Sequence, residues 1–260
     1  MRRPAVLPLL FAALPLCSCA APRLDAALRY GPVDVSGDVA VSSTGLVLKN
    51  DIESDLGVGG DDGVLGGRLD LDLGSGRLTL STQTSDHAGL GFLTAEVSED
   101  GVVIPVGAQV ATRLELGVTD AVMTFDLVPA DEVELGLGVG VSLVSFDSGL
   151  TEVATGQQVT TDEDVPIPVL AARLGVRRGD FELQALLAGL AVEIESDKAS
   201  YLDFDAYARW RFLGGGAGRP DASALLGYRS LSIDLEYEKD GSVDAGLKFA
   251  GPYVGLLLSF

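Results

Sequence analysis

The chain has 260 residues, and 38 acidic against 18 basic side chains leave a formal net charge of -20, while its mean hydropathy is +0.31. The acid excess argues against nucleic acid as a partner, because phosphate binding needs clustered Lys and Arg, and no apolar run of about 18 residues follows the N-terminus to make a helical span. Strands that turn apolar side chains to lipid and keep charge in loops and lumen satisfy both numbers at once.

Residues 1–19 read as an export signal: Arg2 and Arg3 give the positive start, Val6 to Leu16 is a short apolar core, and small residues follow. Leu16-Cys17-Ser18-Cys19 resembles a lipobox, which implies lipidation of Cys19; the alternative is ordinary signal cleavage near Cys19, Ala20 and Ala21. These are the only two cysteines, so the mature body has no internal disulfide. Residues 20–36 carry Pro22, Gly31 and Pro32 in a weak pattern and are expected to form a periplasmic lead-in or tether. That leaves 37–260 as the folded body.

From there, alternation at period two recurs to the end of the chain. It predicts strands near 37–48, 64–73, 77–97, 106–128, 132–147, 160–177, 180–195, 199–213, 222–237 and 243–260. Ten is an even number that returns both ends to one side; eight is the alternative, because the first strand is poorly patterned. Short turns at Gly74-Ser75-Gly76, Pro129-Ala130-Asp131, Arg178-Gly179-Asp180 and 214–221 belong to one end. Longer or more acidic links at 50–63, 98–106, 147–164, 195–200 and 238–241 belong to the other.

Two strands carry the pattern most clearly. Between Val133 and Phe146 the odd face is aliphatic and the even face is Glu134, Gly136, Gly138, Gly140 and Ser142, which suits a crowded interior behind a lipid-facing wall. On that reading Leu137→Arg costs about 2–4 kcal/mol and Gly138→Ala much less. Between Tyr201 and Phe212 the apolar face opposes Asp203, Asp205, Arg209 and Arg211, a lumen charge network expected to pair internally or with Arg68, Asp70, Asp72, Arg173 and Arg177. Such pairs fill a narrow lumen and plug it. In 106–128 the apolar set is even-numbered up to Val118 and odd-numbered from Met123 through Phe125 and Leu127, which predicts a bulge near Asp120; a similar slip is expected near Arg229.

The last strand places Val254, Leu256, Leu258 and the C-terminal Phe260 on one face. In this it resembles the closing strand of Gram-negative outer-membrane β-barrel proteins, and the architecture is most similar to the small OmpA- and OmpX-type barrels. The resemblance implies an all-β, transmembrane, antiparallel up-and-down barrel in the outer membrane, probed by the barrel assembly machinery through Phe260. It implies outer-membrane lipid and lipopolysaccharide as surroundings, and a monomer.

No motif names a reaction. The single histidine, His87, follows Asp86 near the outer end of the third strand. The pair is a weak candidate for an outer-leaflet enzyme, a lipid A-modifying enzyme or an omptin-like protease; an exposed loop histidine is the plainer reading. The acids Asp51, Glu53, Asp55, Asp61, Asp62 and the 161–164 run lack the spacing of a Ca²⁺ loop and read as solvated. Gly214-Gly215-Gly216 has no helix or Lys after it and reads as a turn. The expectation is therefore a structural, envelope-integrity or surface-interaction role, with no catalytic site, cofactor or metal; a narrow solute channel is the third possibility.

Overall fold

In the computed structural model, which describes residues 22–42, 50–58, 62–99, 102–128, 132–194, 197–214, 220–237 and 242–260, ten long strands carry the period-two pattern. They are β1 (Arg23–Ser42), β2 (Asp62–Asp72), β3 (Gly76–Phe92), β4 (Gln109–Asp126), β5 (Val133–Glu152), β6 (Gln158–Arg178), β7 (Phe181–Ile194), β8 (Asp197–Leu213), β9 (Asp221–Tyr237) and β10 (Ser242–Ser259). Each pairs antiparallel with its neighbour in sequence, and β10 pairs back onto β1 from Asp25↔Ser259 to Ser42↔Ser242. The wall thereby closes on itself, each of the ten strands having a paired neighbour on both sides, as a barrel in hydrocarbon requires. Following the register from Arg23 through Asp72, Arg77, Thr124, Gly138, Ala171, Ala188, Asp203, Leu231 and Phe249 leads back to β1 at Val35, well above the start. The strands are therefore tilted and staggered, the geometry of a closed barrel.

The strand count is ten, not eight, but the first strand is not where the pattern put it. Residues 23–36, expected as a tether, are the lower half of β1, with Arg29, Val33 and Val35 buried and Leu24, Leu28 and Tyr30 exposed. The prolines that argued for a tether are tolerated for a local reason. The β1–β10 register passes from Tyr30↔Val254 to Asp34↔Ala250 without pairs between, where Pro32 and Pro252 have no N–H to give. The other nine strands match their expected positions, with ends shifted by a few residues. The expected 147–164 link is short, because β5 and β6 continue up to a turn at 153–157. Within the expected 98–106 link, Val97–Glu99 and Val102–Ile104 form a small hairpin.

The turn end also holds the start of β1 and the end of β10, where Phe260 N donates to Leu24 O at 2.9 Å. Above it lies an outward apolar belt; on β5 it runs from Val133 to Leu143, roughly 25 Å in projection for a tilted strand. Phe181, Trp210 and Phe212 cluster at its lower margin, with ring centroids 6.4 and 6.2 Å apart. Above the belt the two faces of the wall exchange character. On β4, Val110, Leu114, Leu116 and Val118 are buried inside while Arg113 lies exposed outside; lower down, Asp120 and Thr124 face in and Phe125 faces out. The same exchange occurs on β1, β5, β9 and β10, with Val33, Val144, Ile233 and Phe249 buried at the upper level. No bulge exists near Asp120 or Arg229, since the registers there are continuous; the one shift in that part of the wall lies between Arg211 and Leu213. What looked like a slip of phase is an exchange of apolar side chains between the two faces of a continuous strand.

Candidate functional site

The interior has two storeys. The lower one is ionic. Asp205 Oδ2 accepts from Arg29 Nη1 at 2.6 Å and from Arg68 Nη1 at 3.1 Å, while its Oδ1 accepts from the Tyr253 hydroxyl at 2.6 Å. Arg68 also holds Asp70 with two bonds, at 2.8 and 3.1 Å. Arg229 grips Asp203 the same way, at 3.0 and 2.6 Å, and reaches across the lumen to Asp120 at 2.8 Å. Asp120 in turn accepts from Ser81, Ser142 and Tyr201. Nearer the turns, Arg209 Nη1 donates to Asp25 at 3.0 Å, and Arg173 joins Glu134 and Asp126. Paired, forked guanidinium–carboxylate contacts are what makes buried charge tolerable.

Asp203, Asp205 and Arg209 thus belong to the expected network, but each pairs with another strand and not with its neighbour on β8. Arg211 does not belong. Its side chain is 42% exposed at the rim, where it donates to Asp180 at 2.6 Å. Arg68, Asp70, Arg173 and Arg177 join as expected, and Asp72 contributes to Arg77 at 3.4 Å. The sequence reading missed Arg29, Asp120, Arg229 and Tyr253. Arg29 was hidden by the tether assignment, and Asp120 and Arg229 by the supposed bulges.

The upper storey is apolar. Val33, Val35, Val64, Leu116, Leu231 and Phe249 are among the side chains that fill it, and Ile52 and Val58 descend from the segment 50–58. His87 points into this layer, 2% exposed, its ring 6.5 Å from that of Phe249. It is not on an exposed loop. Asp86, the adjacent residue of the strand, faces outward and accepts from Arg113 Nη2 at 2.8 Å. The two side chains of the candidate couple therefore stand on opposite sides of the wall.

Segment 50–58 spans a gap. β2 stops pairing with β3 above Thr84 and with β1 above Val33, and Asn50 and Asp51 take its place beside Val39 and Asp38. Asn50 Oδ1 accepts from the backbone N–H of Thr94 and Ala95, both at 2.9 Å, and Ile52 N donates to Gly37 O at 3.0 Å. Its acids close the turn: Asp51 Oδ1 accepts from Ser54 N at 2.7 Å, and Asp55 Oδ2 from Asp51 N at 2.9 Å. The Ser54 amide holds the Asp51 carboxyl below its ordinary value. A depressed value stabilises the folded turn above the unfolded value and loses that contribution as pH falls through the folded one. Protection of the amides in 51–58, taken relative to their intrinsic exchange rates, is expected to fall on acidification below about pH 4, ahead of the barrel strands; equal protection of both would contradict it.

Among the described residues no group of three or more His, Cys, Asp and Glu side chains could hold a metal. Cys19, Pro129-Ala130-Asp131, Asp61 and Gly215-Gly216 lie outside the described residues.

No protein-family model matches this chain, and no curated protein matches it in sequence. Solved structures do match. The outer membrane protease OmpT from Escherichia coli is 11% identical and has a TM-score of 0.55, with 92% of this chain and 97% of that one covered. The transport unit of the Escherichia coli autotransporter AIDA-I is 8% identical, with 96% and 92% covered and a TM-score of 0.36. A Pseudomonas aeruginosa FadL homologue is 11% identical, with 92% and 90% covered and a TM-score of 0.32. The fold is an outer-membrane-type barrel. At such identities the likeness is one of fold, and function has to be argued from the site.

Proposed function

We propose that the chain is a Gram-negative outer-membrane protein whose closed barrel has a structural, envelope-integrity or surface-interaction role, without catalysis or conduction. The observation that carries this is the filling of the lumen: ion pairs cross its lower storey and apolar side chains occupy its upper one. A conducting path needs a continuous wet passage. In planar bilayers the purified protein is expected to show no current above baseline, and reproducible stepwise conductance would overturn the reading.

Support for a role at the surface comes from the wall above the membrane edge, where β3 and β4 extend beyond Asp86 and Arg113 and expose Leu90 and Phe92. Separation of Asp86 from His87 favours a non-enzymatic barrel. On this reading the termini are periplasmic, Cys19 carries the lipid anchor, and exposed Phe260 is offered to the assembly machinery. The acidic outer links meet lipopolysaccharide phosphates through divalent cations, and the barrel is a monomer.

A further inference from the structure

The two storeys meet at a cavity of about 30 Å³. Its upper wall is apolar, with Val33, Val64, Leu116 and Phe249, and its polar lining includes Arg29, Gln83 and Arg229. Arg29 is 4% exposed; its Nη1 is engaged by Asp205, and its Nη2 has no hydrogen-bond partner among the described residues. A buried N–H without an acceptor costs free energy comparable to a lost hydrogen bond. We propose that this cavity is the polar end of a binding site for a neutral hydrocarbon carrying one oxygen acceptor, such as a ketone or an alcohol, with its chain lying where Ile52 and Val58 now lie.

Charge decides the class of ligand. At this level the guanidinium groups of Arg29, Arg68 and Arg229 already face the carboxylates of Asp70, Asp120, Asp203 and Asp205. An anion would add to an existing excess of negative charge. A carbonyl or hydroxyl oxygen gives Nη2 its acceptor and adds none. The layer above is mostly aliphatic, with His87 and Ser85 its polar members, and the burial it offers suits an alkyl chain.

Access runs past the segment 50–58, a strap seated on β3 by glycine. A Cβ at Gly91 would lie 1.9 Å from Asp55 O, and one at Gly89 would lie 2.0 Å from Gly57 O. Gly57 itself has φ +68°, a conformation that other residues rarely adopt. The strap's two buried apolar side chains stand in for ligand, and Gly91→Ala lifts it without altering the walls around Arg29.

The test uses the full chain in lipid nanodiscs, with equilibrium uptake of labelled 2-decanone, decane and decanoate measured against empty discs. Gly91→Ala is expected to bind 2-decanone at least tenfold better than either comparator. Adding Arg29→Lys, which keeps the charge but removes Nη2, lowers the ketone to the level of the alkane and leaves the alkane unchanged. Asn50→Ala, which releases the strap from Thr94 and Ala95 while leaving β3 intact, gives the same preference and serves if Gly91→Ala does not fold; folding is read separately from migration of the unheated protein on gels. Uptake equal to empty discs in both strap variants, equal uptake of the three solutes, a preference for decanoate, or indifference to Arg29→Lys would overturn the proposal. The first of these outcomes would leave a single water as the cavity's occupant and would leave the envelope role untouched.

Discussion

Asp205→Ala is expected to lower the unfolding free energy by about 3–5 kcal/mol, the range for removing one partner of a buried ion pair. Its carboxylate is 6% exposed and takes bonds from Arg29, Arg68 and Tyr253, which come from three strands on the far side of the lumen or beside it. Arg68 keeps Asp70 after the change, but Arg29 keeps no carboxylate among the contacts described. The resulting charge is buried away from bulk water, and that gives the loss its size. Arg211→Ala on the same strand provides the contrast. Its partner Asp180 is 57% exposed, and solvent-screened pairs of this kind contribute about 0–1 kcal/mol. Urea unfolding in lipid vesicles, followed by the fluorescence of the single tryptophan, Trp210, measures both. A loss at Asp205 no larger than at Arg211 would mean that the lumen is hydrated and its ions are solvated.

That contrast also shows what the sequence made legible. Alternation put Asp203, Asp205, Arg209 and Arg211 on one face, and they share it; alternation alone could not say that Arg211 stands past the end of the lumen. The belt was readable in Val133–Leu143 and Val254–Phe260 because lipid selects aliphatic residues on one face without interruption. The upper storey was not. Above the apolar belt the burial pattern inverts, so Val110 to Val118 on β4 imitate a lipid face while pointing inward. A period-two pattern reports which face is apolar but not what that face meets, and both a bulge and a change of solvent produce the same shift of phase. β1 failed for a further reason. Gly31 and Pro32 look like breakers, yet Gly31 lies against the carbonyl of Pro252 in the partner strand, with a built Cβ only 2.1 Å from that oxygen. A close approach between strands cannot be seen in one strand's sequence. The strap was hidden likewise: its acids advertised a solvated loop, while Ile52 and Val58 were the residues that anchored it.

Gly138→Ala reverses an expectation drawn from face alone. A lumen-facing glycine was expected to accept a methyl group far more readily than Leu137 accepts a charge, but a Cβ at Gly138 would lie 1.9 Å from Met123 O and 2.7 Å from the Thr124 Cα. Those are backbone atoms of β4, paired with β5 through Thr124↔Gly138, and they cannot rotate away as a side chain could. The ladder itself has to part. The expected loss is about 1–3 kcal/mol or more, as for overpacking a closed interior, which brings it level with Leu137→Arg at about 2–4 kcal/mol for a charge on the lipid face. The two losses differ in cause, and lipid separates them. Leu137 is 52% exposed on the outer wall, so the cost of Leu137→Arg is expected to shrink in thinner bilayers where the introduced guanidinium reaches the interface, while the cost of the Gly138 change stays constant. Gly67→Ala supplies the baseline, since the nearest heavy atom to its Cβ is 3.8 Å away, and it is expected to stay within about 0.5 kcal/mol of the parent. Were Gly138→Ala as harmless as Gly67→Ala, β4 and β5 would not approach as closely as the register requires. Were Leu137→Arg harmless in every bilayer, the outward aliphatic belt would not be meeting hydrocarbon.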